Sequence, residues 1–118
     1  LTLREVQDAL KAKGQPWERA KGFDASCPIS PFVPIDKIAI ERNIEFSLSV
    51  NNKVRQQGNS ANMMHKISSL IVDISKNFTL LPGDIVLTGT PKGVGPLKDG
   101  DELSLVLKDH LSIKTKVT

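Results

Sequence analysis

The chain has 118 residues, 39% of them hydrophobic and 25% charged, the size and balance of one globular domain rather than of a disordered tail. The formal net charge is +3, yet no basic stripe forms: from residue 98 onward Lys98, Lys108, Lys114 and Lys116 face Asp99, Asp101, Glu102 and Asp109. Aromatics at 4% with no Tyr leave little to stack on bases, which argues against nucleic-acid binding, and no window approaches the roughly 18 apolar residues of a membrane-spanning helix.

There is one cysteine, Cys27, and no leading run of basic, apolar and small residues, so neither a disulfide framework nor secretion is indicated. The expected location is the cytoplasm, or the mitochondrial matrix in a eukaryote.

In chain order, Thr2-Leu3-Arg4-Glu5 has the spacing of a capping box. Leu3, Val6 and Leu10 then recur at helical intervals up to Gly14, which predicts a helix over about residues 3–13. Prolines 16, 28, 31 and 34 predict an irregular path from Gln15 to Asp36, with at most short extended pieces. Cys27 within it reads as a small buried hydrophobe.

From Ile44 to Val50 apolar and polar residues alternate, the pattern of a half-buried strand. Asn51-Asn52 tolerates positive φ, and Val54 to Gln57 returns as the second strand of a hairpin. A second helix is predicted from about Ala61, capped by Asn59 or Ser60, with Met63, Met64, Ile67, Leu70, Ile71 and Ile74 three or four residues apart.

Pro82-Gly83-Asp84 reads as a turn and Ile85 to Thr88 as a buried strand. Leu103, Leu105 and Leu107 mark another strand after the turn Lys98–Asp101, and Leu111, Ile113, Thr115 and Val117 alternate through the last. The sum is a β-rich α+β domain with two helices.

The stretch from Leu87 to Asp101, LTGTPKGVGPLKDGD, holds four glycines and two prolines. It fails the Walker pattern, because the residue five after Gly89 is Val94 and no Lys-Ser or Lys-Thr pair follows. It fails the dinucleotide fingerprint, because the last position falls on Lys98 and Pro96 forbids the helix that would hold a pyrophosphate. Two readings remain for Thr88-Gly89-Thr90 beside Lys92: an ordinary turn, or a concave nest of backbone amides for a carboxylate.

Other chemistry is sparse. His65 and His110 have no further ligand at metal spacing, and each reads as structural or solvent-facing. Lys21, in RAKGF, is either solvated or held partly buried toward a site.

The order LTLREVQ, PWERAKGFDASCPISPFVP, VNNKVRQQGNSANMM, LLPGDIVLTGTPKGVGPLKDGD resembles the fumarylacetoacetate hydrolase family, in particular its small acylpyruvate hydrolase and 2-hydroxyhepta-2,4-diene-1,7-dioate isomerase branch. The four motifs span nearly the whole chain in one order. The resemblance implies a mixed β-roll, the C-terminal part of a single catalytic domain, usually as a homodimer, using Mg²⁺ or Mn²⁺ on small 2-oxo acid, β-diketone or dioate substrates.

It also implies where the metal ligands are. The family's Glu-x-Glu pair is found nowhere in this chain, and its ligand Asp directly precedes the segment matched by Leu1-Thr2-Leu3-Arg4. All three carboxylates, and the lid His and Glu, are therefore expected upstream of Leu1, with no metal ligand among residues 1–118.

For the residues that match, the resemblance gives Gln7 and Lys21 catalytic roles: Gln7 reaches the substrate's oxygens and Lys21 stabilises enolate charge. Gly89 and Thr90 meet the substrate's terminal carboxylate. Some relatives place a metal-associated Thr four residues after the lysine, where this chain has Ala25.

The implied activity is divalent-metal-dependent hydrolysis of a C–C bond in acylpyruvate-type substrates, or isomerisation, through a stabilised enolate. Oxaloacetate decarboxylation on the same platform and an inactive dimerising fragment are the alternatives.

Overall fold

The computed structural model describes residues 1–38 and 43–118. By packing the chain divides into two units, Leu1–Pro31 and Phe32–Thr118.

In the first unit, helix α1 (Arg4–Ala12) is followed by the short helix α2 (Glu18–Lys21). They are tied where Leu3 N donates to Ala20 O at 3.0 Å. Ala20 is fully buried and Gln7 is 6% exposed. Helix α1 falls where the periodicity puts it, and Gly14, at φ +62°, follows its last turn.

Three expectations for this unit are corrected. The capping box does not form: Leu3 is the N-cap with no side-chain cap bond, and the Thr2 hydroxyl instead accepts from Lys21 Nζ at 2.8 Å. The span from Gln15 to Asp36 is not wholly irregular, because residues 18–21 lie between Pro16 and Pro28 with no ring to break a helical turn. A 3₁₀ turn, Ile35–Lys37, follows Pro34 in the second unit. Cys27 is exposed rather than buried, since nothing in this small unit covers it.

The second unit is an antiparallel sheet of β1 (Glu45–Val50), β2 (Lys53–Asn59), β3 (Glu102–Leu107) and β4 (Leu111–Lys116), in the order β2-β1-β3-β4. Asn51 and Asn52, at φ +51° and +63°, make the tight turn joining β1 to β2. Asn51 also fastens that turn to β3: its amide nitrogen donates to Asp101 Oδ1 at 2.8 Å and its amide oxygen accepts from Glu102 N at 2.9 Å. With three α-helices and this sheet among the described residues, the α+β class is observed.

The second predicted helix is divided. Asn59 Oδ1 accepts from Ala61 N at 2.8 Å and caps a 3₁₀ turn, Ser60–Asn62; Met63 then turns extended at ψ 134°, and helix α3 begins only at Ile67 and runs to Ser75. His65 therefore precedes the helix instead of riding on it.

Ile85 to Thr88 is not a strand in the described structure, and Leu87 is 76% exposed. An apolar run becomes a buried strand only where a neighbour pairs with its backbone. Only Ala20 and Val50 are buried hydrophobics among the described residues, while Met64 is 95% exposed.

Candidate functional site

Of the four residues singled out from the sequence, Gln7 and Lys21 belong to the first unit and Gly89 and Thr90 to the second.

In the first unit two side chains are held by a neighbour that fixes which atoms they can offer. Arg4 Nη1 donates to Gln7 Oε1 at 2.7 Å, one helical turn apart, so the Gln7 amide oxygen is engaged and its Nε2 hydrogens are the end left to donate to a ligand. Lys21 spends one of three ammonium hydrogens on Thr2 Oγ1 and keeps two. Ala25, where some relatives have a metal-associated Thr, takes φ +58°, left-handed backbone that non-glycine residues adopt infrequently.

In the second unit the glycine-rich stretch lies along β2, the outer strand of the sheet. The register slips between Leu48 and Ser49: Leu48 pairs with Gln56 and Ser49 with Val54, leaving Arg55 as the extra residue of a β-bulge. On a regular strand, residues 55 and 56 would point to opposite faces. Here both serve one loop: Gln56 Nε2 donates to Thr90 Oγ1 and to Pro91 O, each at 3.1 Å, and Arg55 Nη1 reaches Pro96 O at 3.5 Å.

The glycines now have separate reasons. Gly93, at φ +99°, lies so close to β2 that a Cβ would overlap the Arg55 carbonyl oxygen. Gly89, at φ +111°, has open space around it and supplies the bend ahead of Thr90. The loop thus lies against β2, one of the two outer strands of the sheet, at Arg55 and Gln56.

Thr90 borders a cavity of about 660 Å³ within this unit, with Phe46, Met63, Ile67, Leu70 and Lys92 among its other walls. It is a largely apolar hollow bordered by two hydrogen-bonded hydroxyls, Thr90 and Ser60, and by the Lys92 cation, a setting that suits a small organic anion. His65 also borders it.

Among the described residues no three His, Cys, Asp or Glu side chains group to hold a metal ion. Nor is any described helix long and apolar enough to cross a membrane.

Sequence reading missed Thr2, Arg4 and Gln56. The Arg4–Gln7 pair was visible as an i, i+3 spacing on one helix. Thr2 was taken by the capping pattern, and Gln56 depends on a bulge that leaves no trace in the residues.

The whole chain, residues 1–118, matches the model of the fumarylacetoacetate (FAA) hydrolase C-terminal domain. The chain belongs to the fumarylacetoacetate hydrolase family. It is 55% identical over 118 residues to oxaloacetate tautomerase YcgM of Escherichia coli (strain K12), covering 99% of this chain and 53% of the relative. To the mitochondrial oxaloacetate tautomerase FAHD1 of Homo sapiens it is 47% identical over 117 residues, again 99% of this chain and 53% of the relative.

Among solved structures, fumarylpyruvate hydrolase from Pseudomonas aeruginosa in complex with Mn²⁺ and pyruvate superposes with a TM-score of 0.92 at 32% identity, covering 99% of this chain and 50% of that one. The chain thus spans about half the length of the relatives it matches.

Proposed function

We propose that this chain is the C-terminal part of a longer catalytic domain that interconverts the enol and keto forms of a small 2-oxo diacid such as oxaloacetate, with hydrolysis of acylpyruvates as the neighbouring possibility on the same enolate chemistry. The 55% identity to an oxaloacetate tautomerase supports the isomerase reading over the hydrolase one.

The observation that carries it lies in the first unit, where Lys21 has two free ammonium hydrogens and Gln7 an amide whose oxygen is engaged. In the second unit, taken by itself, the Thr90 hydroxyl oxygen accepts from Gln56. Tautomerisation moves one proton from the 2-hydroxyl oxygen to carbon 3, and charge gathers on that oxygen between the two states. For the first unit the roles proposed, as the family resemblance implies, are charge stabilisation by the Lys21 cation and donation to the substrate's oxygens by the Gln7 amide. For the second unit the separate proposal is that Thr90, after the bend at Gly89, holds a carboxylate.

The divalent ion, Mg²⁺ or Mn²⁺, belongs to this proposal through the family and through the Mn²⁺ complex of the fumarylpyruvate hydrolase. Its ligands are proposed to be the family's carboxylates, which the resemblance puts ahead of Leu1; among the described residues no set of three groups for it. A homodimer is the assembly proposed, which sedimentation of the full-length protein tests.

The deciding experiment offers the full-length protein enol-oxaloacetate and an acylpyruvate separately, with Mn²⁺ present, and follows loss of enol absorbance and release of pyruvate. Accelerated ketonisation without C–C cleavage fits the isomerase; pyruvate release from the acylpyruvate at a faster rate transfers the assignment to the hydrolase, and no acceleration of either ends the reading.

A further inference from the structure

The Gln56 amide is oriented by an acceptor that cannot change role. Pro91 O accepts only, so the end of the amide 3.1 Å from it is the NH₂ end, and the same Nε2 lies 3.1 Å from Thr90 Oγ1. Thr90 Oγ1 must then accept from Gln56. A hydroxyl has one hydrogen; with a lone pair occupied, that hydrogen is directed elsewhere, and the exposed side of Thr90 borders the 660 Å³ cavity.

We infer that Gln56 is a positioning residue that occupies one lone pair of Thr90 and turns the Thr90 hydrogen toward the cavity, so that this corner of the pocket favours an acceptor group, best an ionised carboxylate. The Arg55 bulge is what lets it act, since a regular strand would not turn Arg55 and Gln56 to the same loop. Lys92 at the rim of the same cavity adds charge of the complementary sign. The inference rests on Thr90 contacting substrate, as proposed above.

The experiment compares three single variants and one double variant of the full-length protein on oxaloacetate, with Mn²⁺ and across about pH 4 to 8, a range that reaches the ordinary glutamate pKa of about 4.3. In Gln56→Glu the introduced carboxylate can only accept, so it takes the Thr90 hydrogen and repels the substrate. KM should rise roughly 10- to 100-fold at pH 8, the loss of a hydrogen bond to a charged group, with kcat little changed. As pH falls and the introduced carboxyl protonates it becomes a donor again, and the KM ratio to wild type should shrink.

Gln56→Met removes the donor without adding charge and should raise KM by a smaller, pH-independent factor. Thr90→Val should raise KM by itself, and adding Gln56→Met to it should cost little more.

A Gln56→Glu defect constant with pH, or a Gln56→Met effect of full size in the Thr90→Val background, would reduce Gln56 to a loop anchor and overturn the inference while leaving Thr90 in place. An unchanged KM in Thr90→Val would remove both the inference and the assigned role of Thr90.

Discussion

Lys21 Nζ donates to Thr2 Oγ1 at 2.8 Å, a bond between the end of helix α2 and the residue two before helix α1. A lysine side chain loses much rotamer freedom when fixed, and a neutral hydroxyl fixes it without neutralising its charge. The ammonium is therefore held in place and still fully available as a cation.

Replacing Thr2 by Val should release Lys21 and lower kcat of the full-length protein about five- to tenfold, the worth of one modest hydrogen bond. Thr2→Ser, which keeps the hydroxyl, should retain most of the rate. Steady-state kinetics on the pair checks this; equal losses in both variants would show that packing at residue 2 matters and the bond does not.

Gly93→Ala adds a Cβ against the Arg55 carbonyl oxygen at a backbone φ of +99°. Neither strand nor loop can move aside cheaply, so the unit from Phe32 to Thr118 should lose about 2–4 kcal/mol. Urea denaturation measures it, and KM for the substrate should rise in step as the Thr90 loop leaves β2. A variant with an unchanged midpoint would mean the loop does not press on the strand.

Asp101 ties the Asn51 turn to the start of β3. Its carboxylate accepts from Lys98 N at 2.9 Å and from Asn51 Nδ2 at 2.8 Å, and these bonds, that from Lys98 foremost, hold its pKa below the usual 3.8. A carboxyl whose folded pKa is depressed contributes stability above its unfolded value and loses it as pH falls through the folded one. The contribution should thus be present above about pH 4 and fade below it. Asp101→Asn turns an NH₂ toward one of the two donors and should lower the melting temperature at pH 7, with the gap to wild type closing as pH drops below about 4. A gap constant down to pH 2 would contradict the assignment.

The hairpin was legible because Asn51-Asn52 is a local signal: two residues tolerant of positive φ between alternating runs, and both take it. Strands β3 and β4 were legible for the same reason of period. Ile85–Thr88 misled because an apolar run records only a wish for burial, whereas a strand also needs a partner backbone, which no stretch of four residues reveals. Thr2 misled in a related way: its spacing to Glu5 fits a cap, and the competing donor sits nineteen residues away at Lys21.

In the candidate site, the family motifs pointed to Lys21, Gln7, Gly89 and Thr90, and the residues bonded to them were only partly legible. Arg4 was available from helical spacing. Gln56 was not, since the bulge at Arg55 shows only in the pairing of β1 with β2, and the acceptor of its amide lies 34 residues away at Thr90.

The most direct test of the account is Lys21→Met in the full-length protein, assayed for ketonisation of oxaloacetate with Mn²⁺. Methionine keeps the length and removes the charge. If the cation stabilises the developing enolate, kcat should fall by roughly 10²- to 10³-fold, as for a lost oxyanion donor, while the fold and KM stay close to wild type. A folded Lys21→Met protein turning over at near-normal kcat would contradict it.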